Sequence, residues 1–204
     1  MENLLNFFTQ IGKMKYMERL GWVVEGVANP ESVADHSFRT AFMILFLGKD
    51  RKDLDLNKAI KMALIHDIAE SQTGDILVDW KLDHLGDRVK RLEGKGIHGV
   101  TREEKIKMEK DGMDKLLALV DADGKELMDL WKEYNDRKSK ESIFVKSVDV
   151  LEMFLQAFEY EKSQDVDISS WFDHSNNLIN VRDGQVKKIL DFLVEKRRRG
   201  KTKV

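Results

Sequence analysis

The chain has no cysteine and only one proline among its 204 residues. Without thiols it can form no disulfide, use no cysteine nucleophile and build no zinc ribbon. The single proline and the 13 glycines argue against long disordered linkers. No apolar run approaches the ~18 residues of a membrane span, and the first residues lack a basic region followed by an apolar one. We therefore expect a soluble cytoplasmic protein that enters no membrane.

A strong charge of either sign is also missing. The 35 Lys and Arg residues nearly balance the 37 Asp and Glu residues, which gives a formal net charge of −2. No overall field therefore attracts nucleic acid. The basic segment 196–201 is typical of a solvated helix end, where it also suits the helix dipole. With 42% hydrophobic residues over 204 positions, the chain can bury the core of a single domain spanning residues 1–204.

Nearly every periodic segment of the chain predicts a helix. Apolar spacing and capping residues predict helices over residues 3–18, 32–47, 58–70, 101–119, 124–135, 140–162 and 184–198. No segment alternates as a strand would, so strands should be few or absent. The second of these helices is apolar on all sides, which is typical of a central helix. The sequence thus predicts an all-α fold, a single compact helical bundle on which the C-terminal helix packs.

Finer signals mark the ends and the loops of these helices. Asn57 is placed to cap the third helix, and Thr101 with Glu104 forms a capping box at the start of the fourth. The glycine-rich segment 86–99 predicts a mobile loop. The histidines outside the candidate site, for which we expect surface or packing roles, are His84, His98 and His174.

Three ionisable residues interrupt the apolar helix predicted over residues 58–70. At about 100° per residue, His66, Asp67 and Glu70 share one sector of roughly 100° with the small residues Ala59 and Ala63. That sector should be buried or should line a cavity, and uncompensated burial of such groups costs several kcal/mol. The arrangement therefore indicates a metal or catalytic site. Glu70 lies one turn after His66, where a general acid or base beside a metal would stand.

Two further metal ligands would have to come from other helices. His36, in the opening turn of the helix over 32–47, is one candidate, but a core histidine with one hydrogen-bonded nitrogen is the more common situation. Asp149 is the other candidate. It forms a stripe with Lys146, Glu152 and Gln156 that is typical of the wet side of an amphipathic helix. From periodicity alone, Asp149 is a surface residue.

The order of the motifs resembles that of the HD-domain metal-dependent phosphohydrolases. The segments that carry the resemblance are 31–39 (ESVADHSFR), 64–70 (LIHDIAE), 73–75 (TGD) and 147–149 (SVD). In particular, the series is similar to the branch of 5′-deoxynucleotidases that hydrolyse deoxynucleoside monophosphates. The resemblance spans roughly residues 14–160. It implies a helical HD domain that hydrolyses deoxynucleoside 5′-monophosphates.

The resemblance also implies roles for particular residues. It implies that one divalent ion is held by His36, His66, Asp67 and Asp149. It implies that Glu70 handles protons and that Asp75 orients water or the leaving oxygen of the substrate. Arg19 and Trp22 match the substrate-binding Arg and Trp of the family, although the residues alone fit a surface arginine and a packing tryptophan equally well. An arginine fork suits phosphate, and an indole gives sugar or base an apolar wall.

Several alternatives stay open from the sequence. Two imidazoles and two carboxylates suit Mn²⁺, Co²⁺, Fe²⁺, Ni²⁺ or Zn²⁺ better than calcium. Mg²⁺ also stays open, and the sequence does not choose among these ions. Another HD phosphohydrolase could act on cyclic nucleotides, nucleoside triphosphates or guanosine tetraphosphate, but residues 70–85 offer only Lys81 to polyphosphate. A helical binding protein with a structural metal is the non-enzyme alternative. Family habit and the apolar Phe154, Leu155 and Phe158 predict a homodimer.

Overall fold

A computed structural model of the chain describes residues 1–78, 99–173 and 180–201. The predicted loop over 86–99 lies almost entirely outside the described residues, as do Lys81, His84, His98 and His174. The described helices are α1 (Glu2–Gly12), a 3-10 turn (Lys13–Tyr16), α2 (Leu20–Glu25), α3 (Val33–Gly48), α4 (Leu56–Ile65), α5 (Glu70–Thr73), α6 (Arg102–Leu117), α7 (Asp121–Asp136), α8 (Lys140–Ser163), α9 (Ser169–Asp173) and α10 (Gly184–Lys201).

The all-α prediction is confirmed. Within the described ranges the backbone forms no strand, only the isolated bridges Glu18–Ser32 and Val78–Val100. No described helix is long and apolar enough to cross a membrane. The chain divides into two compact units, each taken over its described residues. The first comprises Met1–Asp35 and Ile65–Asp129, and the second His36–Leu64 and Leu130–Val204.

In the first unit, α5 packs against α6, and α1 contacts the 3-10 turn, α5 and α6. The close approach of α5 and α6 depends on Gly112, because a Cβ there would lie 3.1 Å from both the Ala69 carbonyl oxygen and the Thr73 methyl. The predicted capping box of α6 is present, with Glu104 N donating to the Thr101 hydroxyl. These contacts fix the short helix α5, which begins at Glu70.

In the second unit, α10 and α9 pack against the long helix α8. The core of this unit includes Ile44, Phe144, Val148, Phe154 and Leu190, all almost fully buried. Phe154 packs edge-to-face on Phe172 of α9, with ring centroids 5.2 Å apart. Part of the apolar surface of α8 is therefore buried inside its own unit. Phe154 in particular gives no reason to expect a dimer.

The structure corrects the helix predicted over residues 58–70. That helix ends at Ile65, and residues 66–69 form a tight turn before α5. The turn is closed by backbone hydrogen bonds between residues three positions apart. Glu70 N donates to Asp67 O at 3.0 Å, and Ser71 N donates to Ile68 O at 3.1 Å. The helical-wheel argument for this segment is therefore wrong in its geometry, although its conclusion of burial holds for His66 and Glu70.

Two other details differ from the prediction. The start of α4 is capped by Asp55, whose Oδ1 accepts from Lys58 N at 2.9 Å, and not by Asn57. In addition, α3 is not buried on all sides, because Phe38, Phe42 and Phe46 remain exposed. An apolar helix thus presents part of its surface outward.

Candidate metal centre

In the second unit, α3 and α8 bring His36 and Asp149 together. His36 lies in the opening turn of α3 and is fully buried. Its Nε2 is 3.2 Å from Asp149 Oδ1, and its Nδ1 is 2.5 Å from Glu152 Oε2. A carboxylate on one imidazole nitrogen fixes the ring orientation and leaves the other nitrogen for a metal. This geometry favours a ligand over an ordinary core histidine.

Asp149 is buried, contrary to the surface position that periodicity predicts. The helix α8 is buried on several sides, so its polar stripe does not face water. Tyr134 Oη donates to Asp149 Oδ2 at 2.8 Å, and Lys146 Nζ donates to the same oxygen at 2.7 Å. These donors hold the carboxylate and leave Oδ1 on the side of His36.

Glu152 was missed as a functional residue by the sequence analysis. It is fully buried, and Arg39 Nε donates to its Oε1 at 2.7 Å. Burial alone would raise the pKa of the Glu152 carboxyl, but the interactions with His36 and Arg39 outweigh burial and lower that pKa. The available signal was spacing, since Glu152 follows Asp149 by one helical turn, as Arg39 follows His36.

In the first unit, His66 and Asp67 form a second imidazole–carboxylate pair. They occupy the turn between α4 and α5, and His66 Nε2 lies 3.3 Å from Asp67 Oδ2. Arg19 Nη1 donates to the same oxygen at 2.9 Å. The His66 side chain is buried, whereas 17% of the Asp67 side chain is exposed. An adjacent pair can serve one cation here because the tight turn replaces the regular helix.

The segment that carries Arg19 and Trp22 is attached to Asp75. Leu20 N, at the start of α2, donates to Asp75 Oδ2 at 2.8 Å. Trp22 is only 1% exposed, and its Nε1 donates to Glu31 Oε1 at 2.9 Å. Asp75 therefore helps to place Arg19 beside Asp67. Substrate binding by Arg19 and Trp22 stays a prediction.

Glu70 is buried at the start of α5 with an incomplete set of partners. Its Oε2 has no hydrogen-bond partner among the described residues, while Lys105 Nζ lies 3.9 Å from Oε1. Burial, followed by the negative charges of Asp75 and Asp67, raises the pKa of Glu70 well above its ordinary value, against the opposing charges of Arg19 and Lys105. An orphaned, protonatable carboxyl of this kind suits a proton donor.

Lys105 is a second residue that the sequence analysis missed. It projects from the first turns of α6, and its Nζ donates to the Ile76 carbonyl oxygen at 3.1 Å. Burial would lower the pKa of the Lys105 ammonium, but the charges of Glu70, Glu109 and Asp75 outweigh burial and raise it. A stable positive charge therefore sits close to Glu70 in the first unit. The nearby capping box was visible in the sequence, but nothing linked that helix to the site.

The donor chemistry of both pairs fits a divalent metal. Each pair offers an imidazole nitrogen and a carboxylate oxygen, the mixed set that suits first-row transition metals and, less strongly, Mg²⁺. The contact of Glu152 with His36 Nδ1 is the outer contact that metal-bound histidines commonly show. The residues present therefore fit a divalent ion, and the donor set does not choose its identity.

A match to the HD domain model covers residues 11–188. The chain therefore belongs to the HD domain family, as the motif order predicts. Among its curated relatives, the 5′-deoxynucleotidase HDDC2 of Dictyostelium discoideum is 40% identical over 185 residues, covering 85% of this chain and 88% of the relative. The human 5′-deoxynucleotidase HDDC2 is 37% identical over 160 residues, covering 78% and 69%.

Two solved structures share the fold of the chain. A conserved hypothetical protein from Pyrococcus furiosus is 30% identical, superimposes with a TM-score of 0.70, and the match covers 96% of this chain and 99% of that one. The PH0347 protein from Pyrococcus horikoshii OT3 gives a TM-score of 0.69 at 28% identity, with 94% and 98% covered. The helical fold is thus shared along nearly the whole length of both archaeal proteins.

Proposed function

We propose that the chain is a metal-dependent 5′-deoxynucleotidase, which hydrolyses deoxynucleoside 5′-monophosphates to deoxynucleoside and phosphate. The curated relatives that bear this name cover most of the chain. The structural observation that carries the proposal is the buried His36, whose Nδ1 is held by Glu152 while its Nε2 meets Asp149. A buried imidazole with one nitrogen held by a carboxylate is the arrangement that metal-bound histidines commonly show.

The proposed ion is a single divalent metal with four protein ligands: His36, His66, Asp67 and Asp149. Each imidazole already lies within 3.3 Å of a carboxylate oxygen in its own unit. Four protein ligands would leave room on a six-coordinate ion for water and phosphate. When bound, the ion supplies Lewis acidity to the phosphoryl group and lowers the pKa of the attacking water.

Around that ion, other residues of the chain would donate a proton, orient the reacting groups and bind the substrate. Water attacks phosphorus, the bond from phosphorus to the 5′-oxygen breaks, and protonated Glu70 gives its proton to that departing oxygen. Asp75 orients the water or the leaving oxygen. The guanidinium of Arg19 carries five N–H donors, so its contact with Asp67 is compatible with binding the phosphate as well. Trp22 lies on α2, which begins directly after Arg19, and the family resemblance assigns it the wall for sugar or base.

The decisive experiment is phosphate release over a nucleotide panel. Protein freed of metal by chelation would be assayed with Mn²⁺, Co²⁺, Fe²⁺, Ni²⁺, Zn²⁺ or Mg²⁺ added back. The panel holds the four deoxynucleoside monophosphates, their ribose counterparts, dATP, cyclic AMP and guanosine tetraphosphate. We expect the deoxynucleoside monophosphates to release phosphate in a metal-dependent reaction, and to release it faster than any other substrate in the panel. Chromatography of the products follows the other three substrates, because ring opening of cyclic AMP releases no phosphate and the polyphosphate substrates can release tripolyphosphate or pyrophosphate. Preferential hydrolysis of the triphosphate, the cyclic nucleotide or the tetraphosphate would support the other HD phosphohydrolase reaction instead.

Two variants control this assay. His66→Ala should lose at least about 10³-fold in kcat/KM, since it removes a ligand of the ion that activates water. His84→Ala, a histidine with no expected ligand role, should keep full activity. If chelation melts the protein, and added metal restores folding but no nucleotide is hydrolysed, the metal is structural and the enzyme proposal is wrong.

We also propose that the enzyme acts in the cytoplasm as a homodimer. The absence of cysteine is compatible with a reducing compartment. Cell fractionation with a tagged chain tests the compartment, and recovery outside the soluble cytoplasmic fraction would contradict it. The dimer is supported by the exposed apolar side chains Phe38 and Phe42 of α3. Sedimentation velocity tests it, and a monomer in solution would contradict it.

A further inference from the structure

The side chain of Arg39 connects α3 to three residues of α8 within the second unit. Its Nε donates to Glu152 Oε1 at 2.7 Å, its Nη2 to Gln156 Oε1 at 2.5 Å, and its Nη1 to Glu159 Oε2 at 2.7 Å. Successive acceptors are four and three residues apart, so they lie along one face of α8. All three nitrogens of the guanidinium therefore bind the same helix.

Glu152 links Arg39 to His36, because each of its carboxylate oxygens contacts one of them. Oε1 accepts from Arg39 Nε and also lies 2.6 Å from Arg39 Nη2, while Oε2 is 2.5 Å from His36 Nδ1. The Glu152 side chain is fully buried, whereas 27% of the Arg39 side chain is exposed. A carboxylate with a different partner on each oxygen has its plane fixed by both partners. The direction in which Oε2 faces the imidazole therefore depends on Arg39.

We propose that Arg39 is a positioning residue of the metal centre, which affects metal binding through Glu152 and His36. This inference rests on the proposed role of His36 as a metal ligand. An outer carboxylate fixes the orientation of a metal-bound imidazole and raises its basicity, and it does so only while the carboxylate itself is held. The planar guanidinium suits that task because its donors have a fixed geometry. The contacts with Gln156 and Glu159 fix the guanidinium on α8, and the guanidinium in turn fixes Glu152.

A second arginine binds α8 in the same unit and provides a matched control. Arg197 Nε and Nη2 donate to Glu161 Oε2 and Oε1, both at 2.6 Å, and Arg197 Cζ lies 4.0 Å from the centroid of the Phe172 ring. Only 8% of the Arg197 side chain is exposed, so its loss should disturb packing at least as much as the loss of Arg39. Glu161 follows Glu152 by nine residues, which is about 14 Å along a helix. The two arginines therefore separate the stability of α8 from the orientation of the metal ligand.

Titration of chelator-treated protein with Co²⁺, in competition with a metal-binding dye, tests the proposal. Arg39→Met should weaken Co²⁺ binding about tenfold, the lower end of the range for outer contacts. It should also shift the visible absorption of the Co²⁺-saturated protein, because the imidazole is no longer held in one orientation. Arg197→Met should lower the midpoint of urea unfolding but leave the Co²⁺ affinity and the spectrum unchanged. If circular dichroism shows that Arg39→Met does not fold, Arg39→Lys replaces it. That variant keeps the charge without the fork and should weaken binding about threefold.

A double-mutant cycle tests whether Arg39 acts through Glu152. In the Glu152→Gln background, the same Arg39 substitution should weaken Co²⁺ binding by less than a further twofold, because the contact that Arg39 supports is already impaired.

Three results would overturn the positioning role of Arg39 while leaving the metal centre in place. They are equal losses of Co²⁺ affinity in both backgrounds, an unchanged affinity or spectrum in the folded Arg39 variant, and a loss in Arg197→Met as large as that in the Arg39 variant. An unmodified protein that binds no Co²⁺ would instead overturn the metal centre together with this inference. The failure of the inference and the failure of the centre on which it rests are thus distinguishable.

Discussion

The two imidazole–carboxylate pairs of this protein have similar distances and different surroundings. His36 and Asp149 come from the regular helices α3 and α8, are almost fully buried, and have further partners in Glu152 and Lys146. His66 and Asp67 are neighbours in a turn, and the carboxylate is partly exposed and held by Arg19. The first pair is anchored by the core of its unit. The second pair is held by the local turn geometry and by the guanidinium of Arg19. The two pairs should therefore respond differently to the loss of a partner.

The largest expected difference is in the stability of the metal-free protein. His36→Ala leaves the Glu152 and Asp149 carboxylates buried without the imidazole, and breaking a buried pair costs about 3–5 kcal/mol. His66→Ala opens a site beside a partly exposed carboxylate, where water can replace the imidazole, so we expect a cost of about 1–2 kcal/mol. Urea unfolding in the presence of a chelator measures both values. If the two variants lost equal free energy of unfolding, burial would not distinguish the two pairs.

Metal affinity should show the next largest difference. Glu152→Gln keeps the shape of the side chain but weakens the contact that orients His36, and such outer contacts are worth 10–100-fold in metal affinity. Arg19→Met removes a donor from Asp67 but leaves the backbone turn intact, so we expect less than about a tenfold loss in metal affinity together with a higher KM. Competitive titration against a metal-binding dye gives both affinities. A larger loss in Arg19→Met would reverse the comparison.

A smaller effect should appear in the pH dependence of stability on the turn side. Because the pKa of Glu70 is raised in the folded state, the native protein binds more protons than the unfolded chain above the ordinary Glu pKa of about 4.3, and its stability falls as pH rises toward the raised value. Glu70→Gln removes this loss. The metal-free variant should therefore gain Tm over the unmodified protein at pH 7.5 and gain less at pH 4.5.

Glu104 provides the control of opposite sign. Hydrogen bonds from the Thr101 backbone and hydroxyl lower the pKa of Glu104 in the folded state, so its contribution to stability is present above the ordinary pKa of the carboxyl and is lost as pH falls through the lowered one. Glu104→Gln should therefore lower the Tm at pH 7.5. If both variants shifted the Tm in the same direction at that pH, the assignment of a buried, protonatable Glu70 would be wrong.

The sequence predicted the family, the all-α class and most helix positions, because apolar periodicity and caps such as Thr101 are local signals. It failed on residues 66–69. Backbone hydrogen bonds between residues three positions apart close a turn there, and no glycine or proline in the segment indicates it. It also failed on Asp149, which periodicity assigns to the surface. Only the order of family motifs identified that residue, because burial of a polar stripe depends on which helices pack around α8. Glu152 and Lys105 were missed for the same reason.

We propose that both pairs hold one ion, and metal stoichiometry after desalting tests this proposal most directly. The unmodified protein should carry one tightly bound equivalent per chain, measured by mass spectrometry of the metal. His36→Ala and His66→Ala should each carry almost none, because a shared ion is lost when either pair loses its imidazole. If either variant, folded by circular dichroism, retained the full equivalent, the two pairs would not share an ion and the proposed centre would be wrong.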